Sequence, residues 1–327
     1  MTEIVLVARR GGMDAGGSPG SRGDGDVTVP PIVYHPDYQA TLPDGHRFPM
    51  GKYRRLSEVL LARGLAPQGF VRPEPAGVDL IAGVHDRTYV ESVLALTVPR
   101  EVEREIGLPV GASVVARSRA SVAGTLLAAR LALAHGLAGS SAGGSHHARR
   151  GGGAGFCIFN DVAIAARTLH REGSIARAVV IDCDVHQGDG TADCLSDSPD
   201  LFTFSLHAEK NYPTRKIAGD RDVGLPDGLE DAGYLAALEA HVGPLLDAVA
   251  PDLVFYNAGV DPHRDDRLGR LALTDAGLAA RDRHVVAAAR SRNIPLVAVI
   301  GGGYATDIDA LAARHAGVFE AMAAEAA

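Results

Sequence analysis

Four short stretches of the chain carry side chains that could do chemistry together. Ser145 to Asp161, SHHARRGGGAGFCIFND, sets His146 beside His147 ahead of a glycine-rich loop. Asp182 to Gly190, DCDVHQGDG, alternates acids with a histidine. NAGVDPH brings Asp261, and GGGYA brings Tyr304. Neighbouring residues of a helix or strand point in different directions, so two adjacent imidazoles serve one site only on an irregular backbone, which the glycines permit. Asp182, Asp184 and His186 sit at alternate positions and share one face of an extended chain. Carboxylate oxygen with imidazole nitrogen is a ligand set for a borderline cation such as Zn²⁺, and two aspartates with one histidine leave a coordination position open, as catalytic sites do. A metal there acidifies a water and polarises a carbonyl, and a base must take the proton. His146 and His147 are the candidates, with Asp182 and Asp189 as acids available to fix their tautomers. Tyr304, on a flexible turn, can donate to a developing oxyanion.

These residues need a frame that delivers them to one place. Residues 176–182, 201–207, 252–259 and 295–303 are continuous apolar runs ending in polar residues or glycine, as strands buried on both faces do, and Ile32-Val33-Tyr34 reads as a first strand. Between them lie helical patterns over 113–136, 160–172, 231–249 and 275–292, with Asp231 and Thr274 as N-caps of the last two. The alternation predicts one α/β domain, a parallel sheet with helices on both faces. Ligands in such sheets bind at the carboxyl ends of the strands, where the acids, the histidine and the phenol all fall.

Composition narrows the function classes. Of 327 residues, 46% are hydrophobic and 22% charged, ordinary globular values. A formal net charge of −8 argues against a general nucleic-acid or membrane-surface binder, and no apolar run is long enough to span a bilayer. Cys157, Cys183 and Cys194 show no paired spacing, which suits a reducing cytoplasm. Residues 9 to 27 hold hardly any large apolar side chain. The reading is a mobile tail over 1–28 ahead of a catalytic domain over 29–327. Deleting residues 1 to 28 should therefore leave turnover and melting temperature nearly unchanged; a large loss of either would mean that the tail packs on the domain.

At this point a family resemblance is plain. GGSHHA, GFCIFNDVAIAA, DCDVHQGDGTA, SLHAEKNYP, NAGVDPHRDDRLGRL and GGGYA look like the successive motifs of the zinc-dependent histone deacetylase superfamily, in order and spacing from about residue 31 onward. HPDYQATLPDGHRFPMGKYRRL and REIGLPV further resemble its bacterial branch near the class IV deacetylases. The resemblance implies an arginase/deacetylase fold, with a mostly parallel eight-stranded sheet. It implies Asp184, His186 and Asp261 as ligands of zinc, or of Fe²⁺ in its place. His146 and His147 match the tandem histidines, paired with Asp182 and Asp189; His147 matches the general base and acid, and Tyr304 the carbonyl-polarising tyrosine. Phe156 and Tyr212 match the walls of a narrow acyl-lysine tunnel, and Gly155 the carbonyl that receives the substrate amide. Asp182, Asp184, His186, Ser205 and Leu206 match a structural K⁺ or Na⁺ site, and Leu195, Ser198 and Leu201 a weaker second one. Ser145 and Thr214 depart from the family, where a threonine and an aromatic are usual; Thr214 bears on the tunnel rim.

The implied activity is hydrolysis of N-acyl-lysine on protein. A small acyl-amine is the rival substrate, although the polyamine branch places a glutamate gate where Leu268 falls. An arginase-type enzyme needs a D-x-H-x-D run, and this chain has D-x-D-x-H. A non-catalytic acyl-lysine binding module predicts loss of a ligand or of Tyr304, and all are present. Cys157 reads as a buried thiol without a base, His85 and His207 as packing or supporting histidines, and RKIAGDR (215–221) as a solvated loop.

Overall fold

In the computed structural model, which describes residues 29–326, seven strands form one all-parallel sheet. They are β1 (Ile32–Val33), β2 (Leu137–Ser140), β3 (Ala178–Asp182), β4 (Leu201–Ala208), β5 (Arg221–Leu225), β6 (Leu253–Asn257) and β7 (Leu296–Val299). Across the sheet the order is β1-β2-β7-β6-β3-β4-β5. The sheet thus has seven strands among the described residues where eight were expected. At its outer edge Val71 bridges Val33 in parallel, exchanging backbone bonds with Tyr34 and Ile32 of 3.1 and 2.9 Å. Pro73 and Pro75 follow at once, and a residue without an N–H cannot extend the ladder. The expected tail over 1–28 lies outside the described residues.

The helices are α1 (Lys52–Ala62), α2 (Val78–Ile81), α3 (Arg87–Leu94), α4 (Arg100–Ile106) and α5 (Ala112–His135). They continue with α6 (Asp161–Arg171), α7 (Asp189–Leu195), α8 (Asp231–Val249), α9 (Asp275–Arg290) and α10 (Ile308–Ala326). Strand alternation sorts the core. Val179 and Ile181 of β3 join the apolar cluster that holds α1, α8, α9 and α10, while Ala178 and Val180 join one with α5 and α6. Burial on both faces is why the strands read as unbroken apolar runs. No helix among the described residues is long and apolar enough to cross a membrane.

Thr274 caps α9, its Oγ1 accepting from Gly277 N at 3.0 Å. Asp231 is not the N-cap of α8 but its first residue; Glu230 precedes it and makes no capping bond. The Asp231 carboxylate instead accepts from Thr274 N (2.8 Å) and Oγ1 (2.6 Å), joining the starts of two packed helices. Local pattern reading cannot see that competition between a cap and a tertiary partner.

Candidate active site

Five neighbouring strands, β2, β7, β6, β3 and β4, release their carboxyl ends side by side. The loop after β2 carries His146 and His147, that after β7 Tyr304, and that after β6 Asp261. The loop after β3 carries Asp184 and His186, and that after β4 Tyr212. The frame therefore assembles residues as far apart in sequence as His146 and Tyr304.

Asp184, His186 and Asp261 are buried, with one ligand atom of each lying within 4.8 Å of the others. His186 Nδ1 is 2.9 Å from Asp184 Oδ1 and 3.2 Å from Asp261 Oδ2. Asp261 Oδ2 is buried and has no hydrogen-bond partner among the described residues. Burial, then repulsion from Asp184, pushes the Asp261 carboxyl up to about 7. Burial works against a proton on His186, but Asp184 and Asp261 outweigh it and raise the imidazole to about 10. Two buried carboxylates with an orphaned oxygen call for a cation, and the donor set suits zinc. A Cβ at Gly302 would run into Oδ2 of both aspartates, so glycine is required there.

The tandem histidines share one site, with ring centroids 4.1 Å apart. Their loop is pinned by Asp161, which accepts from Gly144 N (3.0 Å) and Ser145 N (2.8 Å). His146 Nδ1 meets Asp182 at 2.7 Å, and His147 Nδ1 meets Asp189 at 2.7 Å. Burial opposes a proton on His146, yet Asp182 and Asp184 lift it to about 9. Burial and then the neighbouring His146 push His147 down to about 3. The pair is thus split into a cationic imidazole and a neutral one able to accept a proton.

A cavity of about 690 Å³ leads down to His147, His186 and Tyr304, with Gly155, Phe156, Tyr212 and Leu268 along it. Phe156 stands 5.6 Å from the Tyr304 ring, and Tyr212 stands edge-on to His147 at 4.8 Å. Gly155 has φ +54, and a Cβ there would lie 2.5 Å from His147 Cδ2. Gly155→Ala should therefore displace the imidazole and cut turnover by about 10-fold or more with folding retained, read by steady-state kinetics beside circular dichroism.

Several supporting residues escaped the sequence reading. Arg149 closes a fork on Asp189 (3.0 and 2.8 Å), extending the His147 pair outward. Asn257 Nδ2 donates to Asp182 at 2.9 Å. Asp266 accepts from Tyr304 N at 2.6 Å and Arg267 donates to Tyr304 O at 2.8 Å, so the tyrosine's backbone is gripped at both ends. Arg281, fully buried, donates to the Cys183 carbonyl (3.2 Å), to that of Gly259 and to Asp282 (2.8 Å), joining the loops that carry Asp184 and Asp261. Asp282→Ala would strand that buried cation and should cost about 3–5 kcal/mol, measured by denaturant unfolding.

Among the secondary candidates, His85 donates from Nδ1 to the Arg149 carbonyl (2.8 Å) and accepts at Nε2 from Asn160 N (2.9 Å), a supporting role. His207 Nδ1 lies 2.9 Å from Ser205 Oγ. All three cysteines are free and buried, and burial raises the Cys157 thiol to about 12, unsuited to a nucleophile. Register sets Ser205 opposite Asp182, two of the five residues named for the expected monovalent-cation site. Leu195, Ser198 and Leu201 follow one another in a turn, Ser198 N donating to Leu195 O and Leu201 N to Ser198 O, both at 2.9 Å. The stretch 215–221 is more than a solvated loop: Lys216 Nζ donates to the Asn211 and Pro213 carbonyls (2.8 and 2.9 Å), and Ile217 N to Gln187 (3.2 Å).

Comparison with known proteins places this geometry. The model of the histone deacetylase domain matches residues 46–322. The chain belongs to the histone deacetylase family. Within that family, histone deacetylase 2 of Arabidopsis thaliana is 33% identical over 288 residues, covering 84% of this chain and 74% of the relative. An uncharacterised protein of a Picosynechococcus species is 49% identical over 286 residues, 87% of this chain and 95% of the relative. Among solved structures, the HD domain of HDA15 superposes with a TM-score of 0.76 at 19% identity, covering 91% of this chain and 89% of that one. Acetylpolyamine aminohydrolase from Burkholderia pseudomallei superposes with a TM-score of 0.74 at 23% identity, covering 90% and 98%. Those likenesses support the fold, a single α/β domain of the arginase/deacetylase type. The chain is a deacetylase-family hydrolase, and the buried Asp184-His186-Asp261 group is one that could hold a metal.

Proposed function

We propose that this deacetylase is a zinc-dependent amidohydrolase that removes acetyl or other acyl groups from N-acylated lysine side chains of proteins. The observation that carries the reading is the meeting, at the foot of one cavity, of the Asp184-His186-Asp261 group with two His–Asp pairs and a tyrosine. Zinc held by those three residues would supply Lewis acidity to the amide carbonyl and to the attacking water. The remaining work falls to the chain's own groups. His147, neutral and oriented by Asp189, takes the proton of the attacking water at Nε2 and later gives it to the leaving amine. His146, held cationic by Asp182, supplies positive charge beside the reacting carbonyl. Tyr304 donates its phenol proton in a hydrogen bond to the developing oxyanion, and Phe156 and Tyr212 line the path of the lysine methylenes. A monovalent cation, K⁺ or Na⁺, held by Asp182, Asp184, His186, Ser205 and Leu206 would fix the strand ends beneath.

Leu268 favours acyl-lysine over acetylpolyamine, since an aliphatic side chain at the mouth gives a polycation nothing to bind. Zinc-reconstituted protein assayed on acyl-lysine peptides of increasing chain length, beside acetylpolyamines, tests the reading. Turnover of peptides with hydroxamate-sensitive kinetics is expected; exclusive turnover of polyamines would transfer the protein to small-amine substrates.

A further inference from the structure

The mouth of the cavity carries a charge opposite in sign to that of the whole chain. Arg47, Arg104, Arg149, Lys210 and Arg270 line it, against one carboxylate, Glu105. They come from the loop before α1, the end of α4, the tandem-histidine loop, the turn after β4 and the loop after β6, so cations stand on several sides. Part of that charge is answered. Arg149 faces Asp189 at 2.8 Å, Arg270 faces Asp227 at 3.1 Å, and Arg104 faces Glu101 at 3.4 Å. The last two pairs are exposed and hold their arginines weakly. Arg47 and Lys210, both exposed, have no carboxylate within 4.0 Å among the described residues. A chain of net charge −8 thus turns a positive rim toward its substrate.

Arg47 is the best placed of the five. Its guanidinium lies 4.8 Å from the centroid of Phe156, the wall of the cavity. Its backbone carbonyl accepts from Arg267 at 2.7 Å, and that same arginine holds the Tyr304 carbonyl. The Arg47 backbone is therefore tied through Arg267 to that of the catalytic tyrosine, while the side chain is exposed and its donors face solvent. A planar fork of donors at such a place recognises carboxylates.

Resting on the acyl-lysine reading above, we propose that this rim selects substrates with anionic groups beside the acylated lysine, above all acidic residues flanking it in a peptide, with Arg47 as the main contact. Lys210 and Arg270, which line the same cavity, add to the field, and cationic substrates such as acetylpolyamines are repelled. In water one unit charge about 7 Å from another changes affinity by roughly three-fold, so two flanking acids should gain about ten-fold.

The test uses the zinc-reconstituted full chain with three acetyl-lysine peptides, flanked by aspartates, by serines or by arginines, and with free N-acetyl-lysine bearing its own carboxylate. At low salt the acidic peptide should exceed the basic one by about ten-fold or more in kcat/KM, mostly through KM, and the ratio should shrink toward one as salt rises. Arg47→Glu should lower that ratio by about ten-fold, and Arg47→Lys should keep most of it. Preference for free N-acetyl-lysine over the acidic peptide would make the α-carboxylate, rather than flanking side chains, the recognised group and overturn the peptide assignment. Equal rates on all three peptides, unmoved by Arg47→Glu, would overturn the rim's role and leave the deacetylase reading standing. Turnover of acetylpolyamines alone would take down both. Competition by a short oligonucleotide that exceeds competition by a product-like acidic peptide would assign the rim to nucleic acid instead.

Discussion

Asp261→Ala should purify with close to no bound zinc and no measurable deacylation, while the wild-type chain takes up one ion. The expectation starts from Asp261 Oδ2, a buried carboxylate oxygen that finds no hydrogen-bond partner among the described residues. Its other oxygen accepts from Val185 N at 2.8 Å, so one half of the side chain is structural and one half is free for an ion. Asp261→Asn separates the two functions, because the amide can keep the bond to Val185 while losing the charge. Metal content by elemental analysis, taken with the melting temperature of both variants, distinguishes a lost ligand from a lost fold. If Asp261→Ala carries no transition metal and yet turns over substrate normally, the metal assignment fails. Asp184 should behave alike, with a larger cost to folding, since it also accepts from Gly302 N at 2.7 Å and His186 N at 3.0 Å.

What the sequence displayed of this site follows from where the geometry is local. Asp182, Asp184 and His186 were legible by residue type and spacing, but not as one extended face: β3 ends at Asp182, and the chain bends over Asp184–His186. The neighbouring imidazoles were legible through their glycines, and the structure shows where the freedom is used. Gly144, at φ +83, lies against Asn257 and Gly301, too close for any Cβ. Arg149, Asn257, Asp266 and Arg267 were not legible as supports, although each sits inside a quoted motif. Each acts on a group 37 to 75 positions away, and only the strand order brings them together. Asp231 failed as a cap for the same reason. The missing eighth strand is different, because its cause was in plain sight: Pro73 and Pro75 follow the single residue that pairs at that edge.

His147→Ala should lower turnover on an acyl-lysine peptide by at least about 10²–10⁴-fold, and Tyr304→Phe by roughly 10²–10³-fold, with zinc content and hydroxamate binding kept in both. Neither side chain belongs to the Asp184-His186-Asp261 group, which is why the metal should stay. The larger loss is expected at His147 because it serves both halves of the reaction, and its surroundings prepare it for that. Burial and the adjacent His146 hold it down to about 3, so it is neutral when the water attacks. Asp189, itself gripped by Arg149, then stabilises the imidazolium once the proton arrives. Arg149→Met gives the graded version of the same test. Removing that fork leaves Asp189 buried with a single partner, so turnover should fall by less than in His147→Ala. Tyr304 supplies one donor, fixed through its backbone by Asp266 and Arg267, and burial pushes its phenol well above the usual range, so it donates without ionising. Near wild-type turnover in either variant would remove the role given to that residue. Loss of zinc from either would mean that the division between ligands and proton-handling groups runs elsewhere.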